Sequence, residues 1–149
     1  VVKKAQINHH LHTYDHEASS ESYGLEAADK LGLSPTQVFK TLVVSIDGKS
    51  LVVAVIPVSS MLSMKEIAKV ASGKKASMAN TADVERSTGY VLGGVSPLGQ
   101  KVRLQTFIDC SAETMENIYV SAGRRGLEIE LDPCDLLRLT RACFTPLTQ

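Results

Sequence analysis

The chain has 149 residues, and its 16 basic side chains are balanced by 16 acidic ones. That balance excludes a large, sequence-independent phosphate-binding face, though not a local basic patch. A 44% hydrophobic content is enough for a mostly aliphatic core without metal or disulfides, and no apolar run approaches a membrane span.

The elements follow in order. "HLHTY" (10–14) reads as a short strand and the polar "DHEASSES" as a loop. "GLEAADKLGL" spaces Leu25, Ala28 and Leu31 as a helix does, with Gly32 as its stop. Two β-branched runs, "VFKTLVVSI" and "SLVVAVIP", are joined by "DGK", a strong hairpin signal. "SMKEIAKVA" opens on a capping box, Ser63 with Glu66, and Gly73 is its expected end. "NTADVERSTG" is a short capped helix with a glycine stop. "RLQTFID", "NIYVSA" and "GLEIEL" read as strands. Asp132 as cap and Pro133 at the first helical position open a last helix, "PCDLLRLTRA". With no repeat or linker, one domain over 1–149 is expected: α+β, a mixed sheet flanked by helices rather than a strict βαβ series.

Four features bear on chemistry. The strand "VFKTLVV" carries Lys40 among apolar residues. Alternation puts Lys40 with Val38, Leu42 and Val44, and turns Thr41 to the other face. Either Lys40 snorkels at an edge, or its ammonium faces a pocket and meets an anion or carbonyl oxygen. In "LGGVSPLG", Gly93 and Gly94 permit close backbone approach, so the loop either presents N–H groups to an oxyanion or is a plain turn. "YVSAGRRGLEIE" is either an arginine-bearing hairpin or a turn that offers Ser121 and the arginines to a ligand. His9, His10, His12 and His16 crowd the start, but without a fixed carboxylate a solvated strand end is favoured over a metal site. The three cysteines form no CxxC pair, no GxSxG or HExxH motif occurs, and no cofactor or metal is implied.

Together "FKTLVV", "STGYVLGGVSPLGQK", "IYVSAGRRGLEIEL" and "LHTYDH" resemble, in order and spacing, the YbaK-type Cys-tRNA(Pro) deacylases, freestanding relatives of the editing domain of prolyl-tRNA synthetase. The resemblance runs over nearly the whole chain, with 1–8 as the remnant of a first helix. It implies a curved mixed β-sheet surrounded by helices, a cytoplasmic monomer, and hydrolysis of the ester that joins cysteine to the 3′ end of mischarged tRNA(Pro). It also implies that the substrate's own thiol attacks its ester carbonyl. The enzyme then supplies positioning and electrostatics, in keeping with the missing nucleophile motif. Lys40 matches the family's essential lysine. Thr41, Tyr14, Tyr23, Ser121, Glu128 and the loop residues Gly93, Gly94, Val95, Ser96 and Pro97 match its substrate-binding positions. Three departures accompany this: Tyr23 stands where relatives carry Phe, Ala122 where they carry Gly, and Glu128 where they carry Asp. Lys74, Lys75, Lys101, Arg103, Arg124 and Arg125 are the candidate RNA contacts, a modest patch that implies a transient complex with prolyl-tRNA synthetase. The alternatives are a deacylase for alanine on tRNA, a non-catalytic tRNA 3′-end binding module, and a histidine-based metallohydrolase.

Overall fold

The computed structural model describes residues 9–15, 23–91 and 94–149, with Tyr23 and Gly24 as backbone only. The first-helix remnant, most of the "DHEASSES" loop, His16, Leu92 and Gly93 lie outside the described residues.

Most local signals became the elements they indicate. β1 (His9–Thr13) precedes α1 (Tyr23–Leu31), which ends on Gly32 with φ 68°. β2 (Phe39–Ile46) and β3 (Ser50–Pro57) form the hairpin. Asp47 and Gly48 both take positive φ and the Lys49 amide donates to the Ile46 carbonyl, the twist-matched turn that Asp-Gly favours. α2 (Met64–Val70) is capped by Ser63, whose hydroxyl accepts from the Glu66 amide. β4 (Ala76–Met78) is a short edge strand that the sequence did not announce. α3 (Thr81–Thr88) runs from an Asn80 cap to a left-handed Gly89. β5 (Gln105–Asp109), a 3₁₀ turn over Cys110–Thr114, β6 (Ile118–Arg124), β7 (Leu127–Leu131), α4 (Pro133–Thr140) and β8 (Cys143–Thr145) complete the chain.

One expectation needs a correction. Gly73 does not supply the left-handed end of α2; Ser72 does, with φ 61°. Gly73 answers to space instead. A methyl there would stand 2.2 Å from Cγ2 of the buried Ile46, so the chain passes where only a hydrogen fits.

The sheet is mixed, as expected, but it is divided in two: a three-stranded sheet in the order β1-β7-β6 and a five-stranded one in the order β4-β2-β3-β5-β8. β5 pairs in parallel with β3 and β8, and the other ladders are antiparallel. A single parallel bridge, Val38 to Tyr119, ties β2 to β6 and makes the two sheets one curved surface. Inside the curve, Phe39, Val53, Val55 and Ile108 pack on Ile118, Val120, Ile129, Leu131 and Leu136. Outside it, α1 lays Ala27 and Ala28 on Val38 and Val58 at the junction, and Ile67 of α2 packs on Val44, Ala54 and Ile56. No helix among the described residues is long and apolar enough to cross a membrane.

Candidate functional site

Lys40 lies one residue inside β2, and β2 pairs with β3 without a bulge from Phe39 to Ile46. Strict alternation therefore holds. Phe39 belongs to the inner core and Val38 to the outer cluster under α1, so Lys40 is turned outward with Val38. Thr41 is turned inward, opposite Val55, and its hydroxyl is buried without a hydrogen-bond partner. Side chains of Lys40 and Thr41 thus stand on opposite faces of the sheet.

The bridge between Val38 and Tyr119 then sets what lies beside Lys40. In a parallel pair, residues level with each other share a face. The bridge is isolated and no ladder continues it, but alternation turns Ser121, two residues beyond Tyr119, to the same outer face as Lys40, two residues beyond Val38. Ser121 is paired with Glu128 on β7, and Glu128 with His12 on β1. Ser121, Glu128 and His12 thus form a paired row across β6, β7 and β1 on the outer face, the face to which Lys40 of the adjoining β2 is also turned. Tyr14 follows β1, its amide donating to the Gly126 carbonyl at 3.0 Å, and packs on the cluster under α1.

The electrostatics of this face are uneven. The Lys40 ammonium makes no hydrogen bond or ion pair with the described residues. Partial burial alone pulls its pKa below the usual lysine value. Glu128 is only 5% exposed, and burial, unrelieved by a neighbouring charge, pushes its carboxyl up to about 8. The Tyr14 phenol is raised by burial; the charges of Glu128 and Glu26 add to this, and that of Arg125 opposes it. The Ser121 hydroxyl accepts from the Gly123 amide at 3.2 Å, so one of its two lone pairs serves the β6 bulge.

The glycine-rich loop closes on the end of β6, beyond Ser121. A methyl on Gly94 would stand 2.9 Å from the Arg124 Cα, so the loop backbone lies directly against the last residues of β6. Gly123, at φ 116°, lies under the Tyr90 ring, and the Tyr90 hydroxyl donates to the Leu98 carbonyl. Val95 packs inward on Val43 and Val84. Ser96 is buried, its hydroxyl accepting from the Leu98 amide. From Gly94 to Leu98 every residue is buried, so the described part of the loop presents no side chain to the surface. A cavity of about 180 Å³ lies beyond it, between Pro97, Arg103, Leu104, Thr106 and Leu139; Pro97 is the one candidate substrate residue it includes, and the row is not part of it.

The basic residues do not form one patch. Lys74 and Lys75 give their amides to the Asp47 carboxylate at the hairpin turn, at 3.1 and 2.8 Å. That turn is about 20 Å along β2 from Lys40. Arg124 adjoins Gly94, Lys101 ties its amide to Thr88 behind α3, and Arg103 edges the cavity. The Arg125 Nε is buried. The Tyr23 side chain and Gly93 fall outside the described residues. Ala122 fits where relatives carry glycine because positive φ falls on Gly123, and its methyl packs on the inner core.

Sequence reasoning passed over four groups that the fold brings to this face. Glu26 is 8% exposed on α1, and Tyr119 carries the bridge to β2. Glu130 and Asn117 complete a hydrogen-bonded cluster with His12, which is half-buried and bonded rather than a solvated strand end. The alternation in "GLEIEL" was the available signal, since it puts Glu128 and Glu130 on one face. Among the described residues no group of three His, Cys, Asp or Glu is placed to hold a metal.

The family model for the aminoacyl-tRNA editing domain matches residues 20–139. The chain is 41% identical over 121 residues to an Enterococcus faecalis protein named "Putative Cys-tRNA(Pro)/Cys-tRNA(Cys) deacylase EbsC", an alignment covering 81% of this chain and 74% of that one. In solved structures its fold resembles "hypothetical protein APE2540", with TM-score 0.88 at 24% identity, covering 99% of this chain and 96% of that one. It also resembles a "putative trans-editing enzyme for prolyl tRNA synthetase", with TM-score 0.83 at 21% identity and coverage of 99% and 92%.

Proposed function

The chain belongs to the aminoacyl-tRNA editing domain family, and on that premise we propose that it hydrolyses the ester between a wrongly attached cysteine and the terminal adenosine of tRNA(Pro). The observation that carries this reading is the shared face: an ammonium with no partner among the described residues, turned to the same side as a hydroxyl and a buried carboxyl. Lys40 supplies positive charge where negative charge grows on the ester carbonyl oxygen. Glu128 receives the α-ammonium of the amino acid and is ionised by that pairing. The backbone from Gly94 to Pro97 seats the adenosine beside the end of β6.

No protein nucleophile is assigned. No base is bonded to the Ser121 hydroxyl among the described residues, and Cys110, Cys134 and Cys143 are exposed outside the row. The cysteine thiol of the substrate then attacks its own carbonyl and displaces the ribose oxygen as a cyclic thioester forms. The test is substrate choice. With Cys-, Ser- and Ala-charged tRNA(Pro) under single-turnover conditions, the cysteine ester is expected to disappear at least 100-fold faster than the serine ester. Similar rates for cysteine and serine would sink thiol attack in favour of water, and preference for alanine would reassign the substrate.

The scattered basic residues give the protein a weak, salt-sensitive grip on RNA, so the synthetase is proposed to hold the tRNA. In gel shifts, free tRNA(Pro) is expected to bind only weakly, and deacylation to quicken when prolyl-tRNA synthetase is added. Tight, tRNA(Pro)-selective binding by the protein alone would overturn this.

A further inference from the structure

His12 stands at the β1 end of the row and is held there by a carboxylate. Its Nε2 lies 2.9 Å from Oε1 of Glu130, and the Asn117 amide donates to Oε2 of the same group at 3.1 Å. The Tyr119 phenol helps to hold the Glu130 carboxyl ionised, and its ring meets the His12 ring at 5.4 Å between centroids. Burial alone would push the Glu130 carboxyl up, but His12, Tyr119 and Asn117 together outweigh it and hold its pKa below the usual glutamate value. An ionised carboxylate only accepts hydrogen bonds, so Nε2 must be the donor. In the tautomer that this bond selects, the lone pair is on Nδ1, and no hydrogen bond occupies Nδ1 among the described residues.

An imidazole oriented by a carboxylate at one nitrogen and open at the other is the arrangement that proton transfer requires. Its setting points to the same use. His12 is paired directly with Glu128, and the Tyr119 that flanks it bridges to the strand that carries Lys40. The groups facing the His12 ring are Glu130 and Glu128 on β7 and Tyr119 on β6, with Asn117 bound to Glu130 and Tyr14 two residues on.

We propose that His12, oriented by Glu130, is the general base of the deacylation, a role that rests on the deacylase reading above. As the substrate's S–H attacks, its proton passes to Nδ1 while the S–C bond forms at the ester carbonyl. When the acyl C–O bond to the ribose breaks, the same proton passes from the imidazolium to the ribose oxygen. The imidazole ends neutral, and the products are a cyclic thioester and a free ribose hydroxyl. Glu130 stays charged throughout and stabilises the imidazolium while it exists.

The discriminating variant is His12→Gln, in the full chain with Cys-charged tRNA(Pro). A glutamine amide still donates to Glu130, so β1 stays anchored, but it takes no proton. Expected results are an unchanged thermal midpoint, a kcat lower by about 100-fold and a KM within threefold. His12→Ala should regain at least tenfold in rate when free imidazole is added, which a merely structural role would not allow. A His12→Gln rate within threefold of wild type overturns the proposal, as does His12→Ala that imidazole leaves unchanged. Lys40→Met, run alongside, separates the two readings. If wild type deacylates and Lys40→Met does not, while His12→Gln does, only the role of His12 falls. If wild type leaves the ester intact, both fall.

Discussion

Lys40→Met should lower the rate of Cys-tRNA(Pro) deacylation about 100- to 1,000-fold, the range typical of removing one preorganised donor from a developing oxyanion, while leaving the fold at least as stable. The two halves of this result come from the same observation. On β2 Lys40 is paired with Ile56 and shares its face with Val38 and Leu42, an apolar setting that methionine suits. The ammonium has no partner among the described residues, so removing it orphans no carboxylate. Partial burial draws the lysine pKa down, which means the folded chain disfavours the charged form. Below that lowered pKa wild type bears this cost, and it is relieved only as pH rises toward the ordinary lysine value; the methionine variant never bears it. Thermal unfolding at pH 7 beside single-turnover deacylation gives the answer. A normal rate would remove Lys40 from the chemistry, and a midpoint that drops in step with the rate would make it a structural residue.

Most of the fold was legible because its signals are local. The Asp47-Gly48 turn, the Ser63 and Asn80 caps and the Asp132-Pro133 helix start each depend on a few neighbouring residues. Packing between distant segments was not legible. Nothing near Gly73 in sequence shows that its hydrogen faces Ile46, and the short edge strands β4 and β8 exist because longer strands pair with them. The site divides in the same way. That Lys40 and Thr41 face opposite ways follows from the period of a strand. That Lys40 shares a face with Ser121, Glu128 and His12 depends on pairings between segments as far apart in the chain as His12 and Glu128, and no local pattern encodes a register. The importance of Glu130 stayed hidden for that reason, although its alternation with Glu128 was plain.

Glu128→Gln should make the protein more stable and less active, and both effects should depend on pH. The Glu128 carboxyl has an unfolded value near 4.5 and is raised to about 8 in the folded chain by burial. The folded state therefore keeps a proton that the unfolded state gives up. The contribution of this group to stability is fully present below about pH 4.5 and is lost as pH rises through about 8, at up to about 1.4 kcal/mol per pH unit in that window. Glutamine is nearly isosteric and does not titrate. The variant and wild type should match near pH 4.5 and diverge steadily toward pH 8, with the variant the more stable, by about 2–4 °C in midpoint for each kcal/mol in a chain of this size. Activity should move the other way. The α-ammonium of the aminoacyl ester pairs with a carboxylate and not with an amide, so the variant loses both rate and affinity. In wild type, KM should fall as pH approaches 8, because less free energy is then needed to ionise Glu128 on binding. Parallel stability curves for the two proteins between pH 4.5 and 8 would show that Glu128 is not protonated in the free protein. A Gln variant with wild-type kcat/KM would place the ammonium elsewhere. If both halves hold, the burial of Glu128 is a stability cost retained at the site for what it binds, since a carboxyl with no ligand to meet would be better replaced by its amide.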